Sequence, residues 1–238
     1  MIRAVATDID GTITVDRRST VIDTRVIEAM RRLEGHGVYV ILVSANALPV
    51  VVGLKRYFGL RSPCIGESGT LVYTGGSDII HLTMYSCREA ARYVEENYSD
   101  CLYPSWQNHF RLHDYAFRVR DECRSRVWEI VDRLRRDIAG RYGFVKVNFS
   151  GYAIHLTPID ASKSLALRKV VGMLGLSMDE VAAIGDSVMD MDMIVEAGLG
   201  VAVANADEEL RRAADYVTSR PSGEGFIELA EKIIRGEL

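Results

Sequence analysis

The stretch Val5–Thr12, with the sequence VATDIDGT, decides the fold, because an apolar run ends inside it and two carboxylates follow at once. The apolar residues predict a short buried strand. Aspartate is a poor strand residue and costs free energy when it is buried alone. Asp8 and Asp10 therefore mark the end of the strand, where Gly11 allows the chain to turn. Open parallel sheets bind their ligands at such strand ends.

The segments on either side of the middle of the chain repeat one order of strand and helix. The β-branched run Val38–Val43 predicts a second buried strand. From Ser162 onward the same rhythm returns, with strands predicted at Val181–Ile184 and Leu199–Val203. Hydrophobic residues at helical spacing follow each strand. This alternation predicts an α/β fold with a doubly wound, Rossmann-like parallel sheet as its core.

The middle of the chain has the different order α-β-β-α-β-β. This order predicts an inserted α+β domain, an antiparallel sheet with two helices on one face. We place the core at residues 1–82 and 158–238 and the insert at 83–157, since inserts are tolerated where chain ends lie close together. The predicted elements are helices at Arg88–Asn97 and Ser125–Ala139 and strands at His109–Leu112, Ala116–Arg120, Phe144–Phe149 and Tyr152–Thr157.

Composition and charge exclude several classes of protein. The 238 residues are 48% hydrophobic and 26% charged, which is typical of a globular protein and excludes a disordered chain, a fibre or a coiled-coil rod. The net charge of −4 gives no general attraction to nucleic acid or to an anionic membrane. We therefore expect neither as a partner.

Two features bear on location. Gly37–Leu54 has no charged residue and approaches the length of a membrane span, but Ser44, Asn46 and Pro49 interrupt it, so a buried strand is favoured. The four cysteines form no C-x-x-C motif, and the chain does not start with a basic and then apolar signal segment. We expect a reducing, cytoplasmic compartment.

Polar residues follow every predicted core strand. Ser44 follows the second strand, Asp186 and Asp190 follow the third, and Asn205 follows the fourth, while Lys163 begins the helix that leaves the insert. Each of these residues, taken alone, is equally consistent with a structural role as a helix cap or a solvated side chain. Their common position at one edge of the sheet favours a functional site. Carboxylates without histidine or cysteine suit Mg²⁺, and Mg²⁺ with a lysine and a hydroxyl suits a phosphate group.

The motif Asp8-Ile9-Asp10-Gly11-Thr12, taken with Ser44, Lys163 and Gly185-Asp186-Ser187-x-x-Asp190, resembles the haloacid dehalogenase superfamily of phosphatases. The insert lies between the second and third motifs, where it resembles the type-2 cap of the Cof-like branch. The chain's size and its Asn205-Ala206-Asp207 segment resemble the archaeal phosphoglycolate phosphatases of that branch. The match spans the whole core.

The resemblance implies a role for each matching residue. Asp8 would be the nucleophile and a Mg²⁺ ligand, and Asp10 would be the general acid/base with its backbone carbonyl on the metal. The cap would close over the site and select the leaving group. The remaining implied roles are phosphoryl binding by Ser44 and Lys163, metal binding by Asp186 and Asp190, directly or through water, and support of the substrate phosphate or the metal shell by Asn205.

The function implied is Mg²⁺-dependent hydrolysis of a small phosphate monoester, by resemblance 2-phosphoglycolate, through an aspartyl-phosphate. A sugar-phosphate phosphatase of the same fold is the alternative. A different class, a phosphate-responsive signalling protein with little turnover, remains open, as does a weakened partner protein, since Met189 stands where the branch usually has Asn. We expect a small phosphorylated metabolite as the partner, and a monomer or homodimer.

Cationic side chains in the insert suggest how an anionic substrate would be held. Arg111, Arg118 and Arg120 would suit a carboxylate, and each is equally consistent with a surface charge. The histidines at 109, 113 and 155 are consistent with the substrate side of the insert or with a structural role.

Overall fold

β1 runs from Ala4 to Thr7 inside the core sheet, with a strand on each side, and is buried along its whole length. The computed structural model describes residues 1–238. The strands and the helices are numbered in the order in which they occur along the chain. They are β1 (Ala4–Thr7), α1 (Thr24–Gly35), β2 (Tyr39–Leu42), α2 (Leu48–Phe58), β3 (Cys64–Gly66), β4 (Leu71–Tyr73), β5 (Ile79–His81), α3 (Arg88–Asn97), β6 (Leu102–Pro104), β7 (Tyr115–Val119), α4 (Val127–Ala139), β8 (Val145–Phe149), β9 (Ala153–Pro158), α5 (Lys163–Met173), β10 (Val181–Gly185), α6 (Met191–Glu196), β11 (Leu199–Ala202), α7 (Glu208–Ala213), β12 (Tyr216–Val217) and α8 (Ser222–Ile234).

The core sheet has five parallel strands in the order β12-β11-β10-β1-β2. The residues of β1 and β10 are buried whichever way they point, so helices cover both faces, as a parallel sheet requires. A hydrophobic cluster of 40 buried residues joins the sheet to these helices. The α/β prediction is confirmed. The register brings the carboxyl ends of β1, β2 and β10 to one edge.

The uncharged segment Gly37–Leu54 is divided between β2 and α2, with Pro49 in the first turn of the helix. A loop that contains Ser44 and Asn46 separates the two elements. No helix of the protein has the length and apolar character needed to cross a membrane. After α2, a small antiparallel sheet β3-β4-β5 leads to the inserted domain.

The inserted domain, which we call the cap, is a four-stranded antiparallel sheet in the order β6-β7-β9-β8. Helices α3 and α4 pack on one face, where residues such as Val94, Leu134, Phe117 and Ile154 form a second cluster of 17 buried residues. This agrees with the prediction of an antiparallel sheet with two helices on one face. The opposite face of the sheet is turned toward the core.

One predicted strand of the cap is wrong. His109–Leu112 is not a strand: Trp106–Phe110 forms a 3₁₀ helix, and the edge strand is β6, which lies earlier in the chain. The side chain of Ser105 caps the 3₁₀ helix by accepting a hydrogen bond from the backbone N–H of Gln107 at 3.3 Å. A serine cap favours a helical turn over an extended strand.

The cysteines include a pair that local spacing does not reveal. Cys101 and Cys123 form a disulfide across a separation of 22 residues, which ties the start of β6 to the segment before α4. Cys64 and Cys87 are buried free thiols, and burial raises the pKa of Cys64 to about 12. Burial of these two thiols makes them unreactive.

Candidate active site

The site begins where β1 ends. Asp8 is buried directly after the strand, and Gly11 then turns the chain with a φ of 93°. A Cβ at Gly11 would clash with the carboxylate of Asp186, so the two loops approach more closely than a side chain allows. Thr12 Oγ1 donates a hydrogen bond to Asp186 Oδ1 at 3.3 Å. The first loop therefore lies directly against the loop after β10.

Three buried carboxylates meet at this edge. Asp8, Asp186 and Asp190 each offer an oxygen within 4.8 Å of the others. Lys163 Nζ lies between two of them, donating to Asp8 Oδ1 at 2.7 Å and to Asp190 Oδ1 at 2.5 Å. Burial by itself lowers the pKa of Lys163, but the carboxylates of Asp190 and Asp8 raise it well above its usual value. The lysine is therefore a fixed positive charge.

The remaining charge of the cluster fits a divalent cation. Burial raises the pKa of Asp8 despite the opposing effect of Lys163. Burial also raises the pKa of Asp186, repulsion from Asp190 adds to this, and Arg17 opposes it. Such carboxylates repel one another unless positive charge lies between them. Hard oxygen donors without sulfur or imidazole match the ligands that Mg²⁺ prefers, so the residues present fit that ion.

Asp10 stands apart from the three clustered carboxylates and faces the cavity. The partial loss of water around its carboxyl raises its pKa, while a hydrogen bond from Asn46 Nδ2 to Asp10 Oδ2 at 2.6 Å lowers it. The net effect is a raised pKa. A raised pKa favours the protonated form of the carboxyl group that is needed to give a proton to a leaving oxygen.

Ser44 and Lys163 line the same cavity as the carboxylates. Ser44 Oγ accepts hydrogen bonds from the backbone N–H of Asn46 at 3.0 Å and from its Nδ2 at 3.1 Å, which leaves the hydroxyl proton free to donate to a ligand oxygen. Ser44, Asp8 and Lys163 therefore present donors and an acceptor to one space. That set can bind and attack a phosphate group.

The structure does not bring Asn205 to this cavity. Asn205 Oδ1 accepts a hydrogen bond from the backbone N–H of Ser222 at 2.8 Å, and its Nδ2 donates to Ser222 Oγ at 3.1 Å. Ser222 has a φ of 48° at the start of α8. Both ends of the Asn205 amide thus hold a left-handed residue in place, which is a structural task.

The cap closes the cavity, whose volume is about 740 Å³. Gln107 reaches across from the cap: its Nε2 donates to Asn46 Oδ1 at 2.7 Å, and its Oε1 accepts from the backbone N–H of Ala47 at 2.7 Å. Charged residues of the cap that line the cavity are Arg111 and Arg118, joined by His155, with no acidic residue among the cap's lining side chains. Arg120 is exposed and lies outside the cavity.

A buried glutamate joins the cap to the core. Glu67 has a φ of 49° and its carboxylate accepts hydrogen bonds from the backbone N–H groups of Leu112, His113 and Asp114, the one from His113 at 2.8 Å. Ser68 Oγ donates to Asp114 Oδ2 at 2.6 Å. These contacts hold the cap loop 111–114 against the core in a closed arrangement.

Several residues of the site escaped prediction from the sequence. Arg17, Gln107 and Glu67 belong to none of the motifs singled out from the sequence, and only the folded chain brings them to the cavity or to the domain contact. Arg17 forms an ion pair with Asp186 at 2.5 Å and another with Asp207 at 2.8 Å. The position of Asn46 after β2 marked it as a candidate site residue, but nothing in the sequence indicated that it would bind Asp10. Met189 also lines the cavity.

Comparison with known proteins gives one family. A model described as haloacid dehalogenase-like hydrolase matches residues 5–114 and 125–229. The chain is 50% identical over 234 residues to a phosphoglycolate phosphatase of Staphylothermus marinus, covering 98% of each chain. It is 36% identical to phosphoglycolate phosphatase 1 of Saccharolobus solfataricus, covering 100% of this chain and 98% of that protein.

Solved structures agree in fold. A crystal structure of a Thermoplasma acidophilum protein superposes with a TM-score of 0.83 at 29% identity, covering 98% of this chain and 99% of that one. A haloacid dehalogenase-like hydrolase from Bacteroides thetaiotaomicron superposes with a TM-score of 0.79 at 20% identity, covering 98% of this chain and 100% of that one. At that identity the second likeness concerns the fold alone.

Proposed function

The chain belongs to the haloacid dehalogenase-like hydrolases, and we propose that it is a Mg²⁺-dependent phosphatase that converts 2-phosphoglycolate to glycolate and phosphate. The observation that carries this proposal is the buried carboxylate of Asp8, which faces a closed cavity beside Lys163 and two further carboxylates. A fixed carboxylate next to a phosphate-binding cation is suited to nucleophilic attack on phosphorus.

The chemistry follows from the two aspartates after β1. A carboxylate oxygen of Asp8 attacks phosphorus, the bond to the leaving oxygen breaks, and Asp10 gives its proton to that oxygen. Water then attacks the aspartyl-phosphate, Asp10 takes the proton from the water, and phosphate leaves with the Asp8 carboxylate restored. Lys163 and Ser44 hold the phosphoryl oxygens through both steps. The raised pKa of Asp10 fits both proton transfers.

The metal would be held by Asp8, Asp186 and Asp190, whose clustered and buried oxygens fit Mg²⁺. When bound, Mg²⁺ supplies positive charge that stabilises the phosphoryl group during transfer. We further propose that the backbone carbonyl of Asp10 contributes to the same site.

Two observations support 2-phosphoglycolate as the substrate. The relatives with the higher identities carry the name phosphoglycolate phosphatase, and the cap wall of the cavity carries arginines without acidic residues, which favours an anionic leaving group. A cavity of about 740 Å³ also admits a sugar phosphate. Sugar phosphates are therefore the competing substrate class in the test below.

Location and assembly remain predictions. We propose a cytoplasmic monomer or homodimer. The Cys101–Cys123 disulfide is compatible with that location only under conditions in which intracellular disulfides persist, as they do in hyperthermophiles. The thiol content of the protein from its native cells would test this point.

The proposal is tested by phosphate release from a panel of esters with and without Mg²⁺. The panel contains 2-phosphoglycolate, sugar phosphates, nucleotides and p-nitrophenyl phosphate. We expect Mg²⁺-dependent turnover with 2-phosphoglycolate as the best substrate, and a loss of at least about 1,000-fold in Asp8→Asn. Asp121→Asn, at an exposed cap position, is the matched control.

Three other results would point elsewhere. A sugar phosphate as the best ester would replace the substrate but keep the phosphatase. Folded protein with bound Mg²⁺ and no turnover on any ester would overturn the proposal. A long-lived phosphorylated Asp8 in that protein, detected by intact mass, would favour a phosphate-responsive signalling protein.

A further inference from the structure

One face of the β7–β9 strand pair forms part of the cavity wall and carries polar side chains; we call this part of the wall the floor. In the β7–β9 pair, Ala116 lies opposite His155 and Arg118 lies opposite Ala153. All four residues line the cavity, while their neighbours Phe117 and Ile154 point into the hydrophobic cluster under the helices. The two alanines leave open space next to each polar side chain. This face of the sheet is therefore shaped to receive a small group beside a cation.

Arg118 is the cation of this floor that is free to bind a ligand. Its guanidinium lies 3.5 Å from the centre of the Tyr152 ring, and it forms no ion pair with any carboxylate of the protein. Stacking fixes the plane of a guanidinium but leaves the N–H groups at its edge available. Arg118 is thus held in position with unused donors, the arrangement that suits bidentate binding of a carboxylate.

The other two arginines considered from the sequence are placed differently. Arg111 is almost fully buried, and its Nη1 donates to Asp114 Oδ1 at 2.7 Å. Arg120 Nε donates to the backbone carbonyl of Ser99 at 3.0 Å, outside the cavity. Nη1 of Arg111 is thus taken by a buried carboxylate, while its buried Nε has no hydrogen-bond partner, and Arg120 is an exposed charge.

The floor also lies on the leaving-group side of the site. Asp10 accepts a hydrogen bond from Asn46, and Asn46 Oδ1 accepts one from Gln107 of the cap. Asp10 also lines the same cavity as His155 and Arg118, and it protonates the leaving oxygen in the proposed reaction. The atoms attached to that oxygen therefore extend toward the β7–β9 floor. In the proposed reaction the phosphoryl group binds at the other end of the cavity, where Lys163 Nζ contacts Asp8 Oδ1.

We propose that Arg118 binds the carboxylate of the leaving group, stacked in place by Tyr152, and so selects phosphorylated hydroxy acids over neutral phosphate esters. This inference rests on the proposed function, because it assigns the second anionic group of the same substrate. Tyr152 acts as a positioning residue, since it touches the guanidinium rather than the substrate.

The test is the ratio of kcat/KM for 2-phosphoglycolate to kcat/KM for ethyl phosphate, which lacks the carboxylate. We expect Arg118→Gln to lower this ratio about 10- to 100-fold, the effect of losing a hydrogen bond between charged groups. We expect Tyr152→Ala to lower the ratio by a smaller factor than Arg118→Gln does. Tyr152→Phe keeps the stacked ring and should leave the ratio at the wild-type value. Arg120→Gln is the matched control and leaves the ratio at the wild-type value.

The same comparison is made by calorimetry in an Asp8→Asn background with Mg²⁺, where binding is measured without turnover. Equal ratios in wild type, Arg118→Gln and Arg120→Gln would overturn the assignment, as would a parallel loss for both esters. If the wild type hydrolyses neither ester, the proposed function fails. The ratio of the two dissociation constants then still decides whether Arg118 recognises a carboxylate.

Discussion

Burial and the hydrogen bond from Asn46 act on the pKa of Asp10 in opposite directions. Loss of water raises the pKa, and the hydrogen bond from Asn46 Nδ2 at 2.6 Å lowers it because the amide stabilises the charged carboxylate. Asn46 also donates to Ser44 Oγ, on the phosphate-binding side. One amide thus couples the proton-transfer residue to the residue that holds the phosphoryl group.

Asn46→Ala is expected to raise the pKa of Asp10 further. A hydrogen bond to a charged group contributes about 1.5–3 kcal/mol, which corresponds to about one to two pKa units. Asp10 must be protonated to act on the leaving oxygen, so the alkaline limb of kcat/KM against pH moves to higher pH. The measurement is the pH profile for an alkyl phosphate. Asn97→Ala, on the exposed side of α3, should leave the profile unchanged, and a shift to lower pH would contradict this account.

Residues that directly follow a core strand were accessible from the sequence, whereas Arg17 and Glu67 of the core and Gln107 of the cap were not. The structure brings Asp8, Asp186, Asp190 and Lys163 together, each close in sequence to the end of a core strand or the start of a core helix. Asn205 follows a strand in the same way but is used by the backbone at Ser222. Position after a strand predicts which edge a residue reaches, and it does not predict which partner takes its hydrogen bonds.

Among the elements, the 3₁₀ helix Trp106–Phe110 links cap closure to the core. Helix α2 has no side-chain cap of its own at Ala47, and Gln107 Oε1 from the cap accepts the N–H of that residue. A helix N-terminus needs such partners for its free N–H groups. The cap therefore completes a helix of the core when it is closed.

Gln107→Ala is expected to weaken the closed arrangement. It leaves the N–H of Ala47 unpaired, which costs about 1–3 kcal/mol in the closed state, so kcat/KM falls by about 5- to 100-fold while the unfolding temperature of the core changes little. Steady-state kinetics and hydrogen exchange of the Ala47 amide measure both effects. The matched control is His109→Ala in the same 3₁₀ helix, because His109 is exposed and does not line the cavity. Unchanged kcat/KM and unchanged exchange would show that the contact does not matter.

Long periodic elements were predictable, and most short core strands were too, but one short element of the cap was not. The apolar spacing of α4 places Val131, Leu134 and Ile138 in the cap cluster, as the pattern indicated. The error at His109–Leu112 arose because a short apolar run fits a strand and a 3₁₀ turn equally well. The side chain of Ser105 caps the 3₁₀ turn, and Asn108 Nδ2 also bonds to the carbonyl of Ala116, eight residues away.

In the molecule as a whole, the core and the cap each have a hydrophobic cluster of their own, with 40 and 17 buried residues. The smaller cluster has less apolar burial to offset the entropy of folding. The Cys101–Cys123 disulfide lies in the cap, and Cys123 belongs to the smaller cluster. The covalent link is thus placed in the domain with the weaker hydrophobic stabilisation.

Cys101→Ser combined with Cys123→Ser is expected to destabilise the cap. Opening a loop closed across 22 residues removes about 3 kcal/mol, chiefly because the unfolded chain gains freedom. Thermal unfolding of the variant and of wild type, each with and without reductant, measures the effect. Reductant should lower the unfolding temperature of wild type to that of the variant and leave the variant unchanged. An oxidised wild type that unfolds at the same temperature as the variant would show that the core alone sets the stability and that the disulfide contributes nothing to it.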